Sequence, residues 1–155
     1  MTGPRPAARA KIIDNDLRLL LLKGRDSTIA DSEPWWFTVG GGIHSDETPL
    51  MAIRREVFEE TGRRILNFQT TPFSRTFSFV FEGREYCQQE RFFVARTPAF
   101  EPVSSHFSRI EQRSIIGSRW WTLPELLQTD ETIFPSQLAS WLEFLIKSSL
   151  LTALK

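Results

Sequence analysis

Three glutamates, Glu56, Glu59 and Glu60, are the residues of this sequence best suited to chemistry. Their spacing of i, i+3 and i+4 brings the carboxylates together on one side of a helix, where each like-charge pair costs about 0.2–0.5 kcal/mol. Mg²⁺ prefers oxygen ligands and is commonly shared between carboxylates and substrate phosphates. A divalent cation site is therefore one hypothesis. The alternative is a solvated acidic helix face on which Arg55 is an incidental partner.

Local signals predict the helix that positions these glutamates. Thr48 suits the N-cap, Pro49 suits the first helical position, and Gly62 supplies the stop. One apolar stripe marks the face that packs on a sheet, formed by Leu50, Ile53 and Val57. A run of glycines, 40–42, precedes the helix, so the sequence predicts a glycine loop that leads into a glutamate-bearing helix.

The spacing of this stretch resembles the Nudix box, G-x5-E-x7-R-E-U-x-E-E-x-G-U, in which U is apolar. The fixed positions are all matched, by Gly41, Glu47, Arg55, Glu56, Glu59, Glu60 and Gly62. Val57 matches the first apolar position, whereas Arg63 replaces the last one. Segments 35–38 and 119–126 are also similar to segments that flank the box in Nudix hydrolases.

The resemblance implies a fold and a reaction. The fold is α+β, a Nudix-like α/β/α sandwich with a mixed β-sheet between helices. The reaction is hydrolysis of a pyrophosphate bond in a nucleoside diphosphate linked to another moiety X, with Mg²⁺, or Mn²⁺ in its place, as cofactor. The implied partner is a small nucleotide substrate, and the resemblance also admits a homodimer.

The resemblance also assigns roles residue by residue. Glu59 and Glu60 are the principal metal ligands, and Glu56 is a further ligand or the general base. Arg55 orients Glu56 through a charge-assisted hydrogen bond, and the Gly41 carbonyl supplies another oxygen. Glu47 braces the loop. A further carboxylate from outside the box is expected, with Glu111 the first choice ahead of Glu90 and Glu101.

Substrate contacts are expected from an alternating stretch and from the segment before the glycines. Phe73, Arg75, Phe77, Phe79 and Phe81 alternate with polar or small residues, so they share one face of a strand. An arginine among phenylalanines needs an anionic partner, either Glu90 across a hairpin or a ligand phosphate. The predicted substrate-binding residues are Arg75, Trp35, Phe37 and Phe79.

Composition limits the class of protein. Residues 1–155 are expected to form one domain. The 19 basic and 19 acidic residues cancel, which gives no support to a nucleic-acid partner. The single cysteine, Cys87, excludes an intramolecular disulfide and a multi-cysteine metal site. No apolar run approaches a membrane span, and a cytoplasmic location is expected.

Periodicity predicts the remaining elements of secondary structure. Strands are predicted at 7–13, 17–22, 35–39, 65–70, 73–81, 85–95 and 119–122, helices at 124–127 and 138–146, and irregular structure at 98–116.

The function stays open between three hypotheses. Besides the hydrolase, the alternatives are a non-catalytic nucleotide-binding or sensor module, and a different chemistry such as diphosphate isomerisation or RNA-cap removal. The intact carboxylates disfavour the second, and the missing acid/base pair and basic region disfavour the third.

Overall fold

The computed structural model describes residues 3–148. The strands are β1 (Arg5–Ile13), β2 (Leu19–Gly24), β3 (Trp35–Phe37), β4 (Val39–Gly42), β5 (Gln69–Phe81), β6 (Arg84–Arg96), β7 (Ile115–Trp121) and β8 (Thr132–Phe134). The helices are α1 (Pro49–Thr61), α2 (Arg109–Ser114), α3 (Leu123–Gln128) and α4 (Leu138–Lys147).

The strands form one mixed sheet of order β5-β6-β1-β2-β3-β8, with β4 paired to β1 and β7 paired to β2. Strand β1 lies at its centre and runs parallel to β6, from Arg5 opposite Gln88 to Ile13 opposite Arg96. The β5–β6 hairpin is the predicted one, and β5 alternates half-buried and exposed residues along its whole length. That alternation puts Arg75 and the phenylalanines on one face, as predicted.

Helices cover both faces of the sheet, because each face carries its own apolar set. Helix α1 packs against β1 and β4 through Ala52, Ile53 and Val57. On the other face α3 and α4 pack through Leu126, Leu138, Leu142 and Leu145. The predicted α/β/α sandwich with a mixed sheet is confirmed. Among residues 3–148, no helix is long and apolar enough to cross a membrane.

Lys11 lies fully buried on the α4 side of β1. Its Nζ lies 4.0, 4.7 and 4.3 Å from the ring centroids of Phe73, Phe92 and Trp141, and has no hydrogen-bond partner among the described residues. Burial lowers the pKa of Lys11 to about 6. Desolvation therefore favours a neutral amine at neutral pH, although the ring faces themselves attract the charged form.

Several predicted elements differ from the structure. The strand predicted at 65–70 is wrong at its start, because the Leu66 carbonyl accepts both the Arg54 Nε and Nη2 protons and is not paired in the sheet. Only Gln69 and Thr70 of that stretch belong to β5. The strand predicted at 35–39 is two strands, since β3 pairs with β2 and β4 crosses to β1.

The stretch predicted to be irregular, 98–116, contains helix α2 and the first residues of β7. A capping box starts α2: the Ser108 hydroxyl accepts from the Glu111 N–H, and the Glu111 side chain accepts from the Ser108 N–H. This Ser-x-x-Glu signal was present in the sequence, but six helical residues are too few to show a periodic stripe.

Candidate active site

The glycines predicted to form a loop, 40–42, are in fact the end of strand β4, paired with β1, and the name glycine loop is kept below for residues 40–48, from these glycines to the start of α1. Glycines 40 and 41 bring β4 unusually close to its neighbours. Gly40 has φ 143°, and a Cβ there would lie 2.1 Å from the Ala8 carbonyl oxygen. A Cβ at Gly41 would lie 2.6 Å from Glu56 Oε1. Only glycine fits at position 40, and a Cβ at position 41 would push the Glu56 carboxylate aside, so these glycines let β4 lie directly beneath a carboxylate of α1.

Helix α1 begins and ends where the sequence predicts. The Thr48 side chain accepts from the Met51 N–H, Pro49 occupies the first turn, and Gly62 closes the helix with φ 76°. Glu56 and Glu60 lie on the buried side, with 8% and 3% of their surface exposed. The alternative of a solvated acidic helix face is wrong for Glu60, because Gly40 and Glu111 lie against it.

Arg55 connects the loop to the helix. Its Nε and Nη2 donate to the two Glu47 carboxylate oxygens at 2.7 and 2.9 Å, and its Nη2 also donates to the Gly42 carbonyl at 3.0 Å. Its Nη1 donates to Glu56 at 2.9 Å and to Glu59 at 3.2 Å. These hydrogen bonds lower the pKa of Glu47 and fix the orientation of Glu56.

Glu56, Glu60 and Glu111 form a cluster in which one oxygen from each lies within 4.8 Å of the others. The Gly40 N–H donates to Glu60 Oε1 at 2.7 Å, and the α2 capping box holds Glu111. The carboxylate predicted from outside the box thus lies beside two of the box glutamates. Glu59 does not join them: 37% of its side chain is exposed, and it is turned towards Arg55.

The charges of this cluster are poorly compensated by the protein. Burial raises the pKa of Glu56, and the nearby Glu59 and Glu111 raise it further, although Arg55 opposes them. Burial raises the pKa of Glu60 well above its usual range, with Glu56 and Glu111 adding to the effect. The arrangement therefore favours either shared protons or a cation between the carboxylates.

A cleft of about 470 Å³ opens beside the cluster, and Glu60, Glu111 and Gly41 lie in its wall. All four predicted substrate-binding residues also line it: Arg75, Trp35, Phe37 and Phe79. Carboxylates and flat aromatic rings thus border one cavity, whose volume lies in the range of small-molecule sites.

Two arginines share a buried glutamate on the floor of this cleft. Arg75 Nε donates to Glu90 Oε1 at 2.5 Å, and Arg9 Nε donates to Glu90 Oε2 at 2.7 Å. The predicted partner of Arg75 across the hairpin is confirmed. Glu90 is engaged there and does not join the carboxylate cluster; Glu101, the other alternative, is exposed and also outside it.

Sequence reasoning missed several polar residues that line the cleft, among them Arg5, Arg9 and Gln88. Arg9 carried a signal, because Arg9 and Lys11 are the charged residues of a stretch, 7–13, that otherwise contains alanine and isoleucine. Gln88 carried none, since an alternating strand normally exposes its glutamines. Its burial depends on the pairing of β6 with both β1 and β5.

The fold is shared with solved structures of low sequence identity. A MutT protein from Methanosarcina mazei Go1 is 19% identical, with a TM-score of 0.65 over 95% of this chain and 96% of that one. The E. coli dihydroneopterin triphosphate pyrophosphohydrolase is 17% identical, with a TM-score of 0.65 over 95% and 100%. The NUDIX domain of Shewanella oneidensis NrtR, solved with ADP ribose, is 15% identical, with a TM-score of 0.64 over 95% and 91%.

No curated protein sequence is significantly similar to this chain. A family model matches nearly its whole length, over residues 3–142, and its description is NUDIX domain. The match includes the glycine loop, α1, Glu111 and the floor of the cleft, and it supports the predicted hydrolase class. This chain therefore belongs to the NUDIX domain family.

Proposed function

We propose that this protein hydrolyses a pyrophosphate bond in a nucleoside diphosphate linked to another moiety, with Mg²⁺ as cofactor. One observation carries the proposal: Glu60 and Glu111, which form a carboxylate cluster with Glu56, lie in the wall of an aromatic cleft of about 470 Å³. A cation site and a slot for a flat ring are thus adjacent, as a nucleotide that reacts at its phosphates requires.

The residues present fit a hard divalent cation. Each glutamate offers a carboxylate oxygen within 4.8 Å of the other two, and hard oxygen donors are the set that Mg²⁺ prefers. Without a cation the buried carboxylates raise one another's pKa. Glu56, Glu60 and Glu111 would hold the ion, with the Gly41 carbonyl close by. Glu59, the other predicted ligand, would join only by turning away from Arg55.

When bound, Mg²⁺ neutralises phosphate charge and lowers the pKa of coordinated water. The protein's own groups then position a water and the substrate. Glu56 is oriented by Arg55, and where Glu60 and Glu111 alone hold the ion, Glu56 is the base that accepts the proton of the attacking water. The water oxygen bonds to phosphorus while the bond to the bridging oxygen breaks, and that oxygen leaves with the electron pair.

The cleft supplies the binding groups for the rest of the nucleotide. Trp35, Phe37 and Phe79 give the cleft an aromatic lining for a base, and stacking of a base on an aromatic ring is worth about 1–3 kcal/mol. Arg75 is paired with Glu90, yet the two arginines at Glu90 leave one excess positive charge on the floor. That charge would attract a phosphate group.

The test is release of phosphate or nucleoside monophosphate from a panel of nucleotide sugars, dinucleotides, ADP-ribose and nucleoside triphosphates, with Mg²⁺ and with EDTA. Metal-dependent turnover of one class is expected, and it would also name the moiety X. Glu60→Gln should abolish the turnover, whereas Glu143→Gln on the surface of α4 should not. Absence of turnover throughout the panel, with a nucleotide still bound, would instead favour a non-catalytic nucleotide-binding module.

A further inference from the structure

Three residues lie side by side across the cleft floor on neighbouring strands. Arg5 of β1 is opposite Gln88 of β6, and Gln88 is opposite Phe77 of β5. All three line the cleft. The floor thus presents a guanidinium, a carboxamide and an aromatic ring in one row.

The Gln88 carboxamide has a defined orientation. Its Oε1 lies 3.5 Å from Arg9 Nη2, and Arg9 is itself held by Glu90 at 2.7 Å and by the Gly40 carbonyl at 3.0 Å. An arginine has donors only, so Gln88 must turn its oxygen towards Arg9 and its NH₂ group away. Within the described part of the chain, that NH₂ group has no acceptor.

The Gln88 side chain is only 3% exposed, and the exposed part lies in the wall of the cleft, where an acceptor on a ligand could take the hydrogen bond of its NH₂ group in place of water. The adjacent groups are also donors. Both oxygens of Glu90 are occupied by Arg9 and Arg75, and Arg5 forms no ion pair with the residues described. This part of the floor therefore offers a ligand hydrogen-bond donors rather than acceptors.

Flat rings flank the row. Phe77 and Phe79 are stacked with centroids 5.1 Å apart, and Phe79 stacks in turn on Tyr86 at 5.2 Å. A planar heterocycle that lies in the cleft beside this stack would bring one polar edge to the Gln88 carboxamide. An exocyclic carbonyl on that edge would accept from it, whereas an exocyclic amino group would place donor against donor.

We propose that Gln88 determines base specificity, and that the substrate is a nucleotide whose base carries an exocyclic carbonyl, in preference to an amino-substituted base. The inference rests on the proposed function, because it assigns the base to the same cleft. Arg9 acts as the positioning residue that fixes the direction of the Gln88 carboxamide.

Inosine and adenosine nucleotides test this with matched sugars and phosphates, because hypoxanthine has a carbonyl where adenine has an amino group. Wild-type kcat/KM should favour inosine triphosphate over ATP by about tenfold, the value of one good hydrogen bond. Gln88→Leu should bring the ratio close to one. Gln88→Glu, whose carboxylate would face Arg9 but offer no donor, should also lose the preference.

Gln89→Leu is the matched control. Gln89 is the next residue of β6, and it is exposed on the opposite side of the strand from Gln88. It should keep the wild-type ratio. Thermal unfolding of all three variants identifies any loss of the fold, and the isosteric Gln88→Glu variant carries the test if Gln88→Leu does not fold.

Binding without catalysis separates this inference from the proposed function. Inosine and adenosine monophosphates are titrated in EDTA, with quenching of tryptophan fluorescence as the readout, since Trp35 lines the cleft. About tenfold tighter binding of the inosine nucleotide, lost in both Gln88 variants, supports the role of Gln88 even if no nucleotide is hydrolysed. Equal ratios in the wild type and the Gln88 variants, or a wild-type preference for adenosine, would overturn it even if turnover is observed.

Discussion

Arg55 organises the carboxylates around it through all of its donor nitrogens. It is bonded to Glu47, Glu56, Glu59 and the Gly42 carbonyl, so one side chain joins the glycine loop to the glutamate helix. A planar fork of this kind cannot be reproduced by a lysine, which presents a point charge on a flexible stem.

Arg55→Lys should therefore lower kcat by about 10- to 100-fold, the range seen when a supporting partner of a metal ligand is lost. The charge near Glu56 is kept, but its orientation is not. Steady-state kinetics at saturating Mg²⁺ measure the effect. Arg54→Lys, one residue away and directed to the Leu66 carbonyl, is the control. An unchanged kcat for Arg55→Lys would remove Arg55 from the mechanism.

Glu60→Gln should lower turnover by at least about 100-fold, because a ligand charge is lost. Its effect on the metal-free fold should be small or stabilising. Glutamine still offers an oxygen to the Gly40 N–H, and it removes a buried charge that Glu56 and Glu111 repel. Urea unfolding in EDTA gives the second readout. A strongly destabilised variant with normal turnover would contradict both expectations.

At the scale of elements, α2 matters because it delivers Glu111 to a site otherwise built by α1 and the glycine loop. It has only six residues, so its start depends on the capping box of Ser108 and Glu111. Arg113 ties it to the β5–β6 turn through two hydrogen bonds to Glu82, at 2.8 and 2.6 Å. The position of Glu111 in the carboxylate cluster therefore depends on the capping box and on the Arg113–Glu82 pair.

Ser108→Ala should cost about 1 kcal/mol of helix stability and raise the Mg²⁺ concentration needed for half-maximal activity. Thr122→Ala is a close control, because Thr122 and Glu125 form the same capping box at α3, outside the glutamate cluster. A Mg²⁺ titration of activity compares the two variants. Equal Mg²⁺ dependence in both would mean that α2 does not position a ligand.

At the scale of the whole molecule, Lys11 lowers the free energy of unfolding, because it is buried in the core between the sheet and α4. Its folded pKa is lowered to about 6 by burial, against about 10.4 in an unfolded chain. Between these values the unfolded chain binds a proton that the folded chain does not. The free energy of unfolding should therefore rise with pH through this window, and the penalty of Lys11 should be largest at its acidic end.

Lys11→Met should stabilise the protein at pH 7 by up to about 4 kcal/mol, since three pKa units or more of penalty disappear. The gain should shrink as the pH approaches 10, where the unfolded lysine is also neutral. Urea unfolding at pH 7 and 9.5 measures both effects. Lys147→Met, on the exposed surface of α4, should show neither. Equal gains at the two pH values would mean that Lys11 is not held neutral.

The sequence predicted the parts of the molecule that depend on local signals. Helix α1 was predicted from Thr48, Pro49, Gly62 and its apolar stripe. The β5–β6 hairpin was predicted from its strict alternation and short turn. The burial of Glu60 was not predictable, because it depends on α2, which arrives about 50 residues later along the chain. The Arg9–Glu90 pair joins residues 81 positions apart, and no local pattern encodes it.

The parallel pairing of β1 with β6 has a consequence for synthesis. During translation, β1 emerges long before β6 ends at Arg96, and such distant pairings form slowly. Until then one edge of β1 is open to other nascent chains, and Arg9 and Lys11 lack the carboxylate and the rings that will surround them. A chain released before β6 is made would carry the complete glutamate helix without a cleft floor, and chaperones would have to hold it.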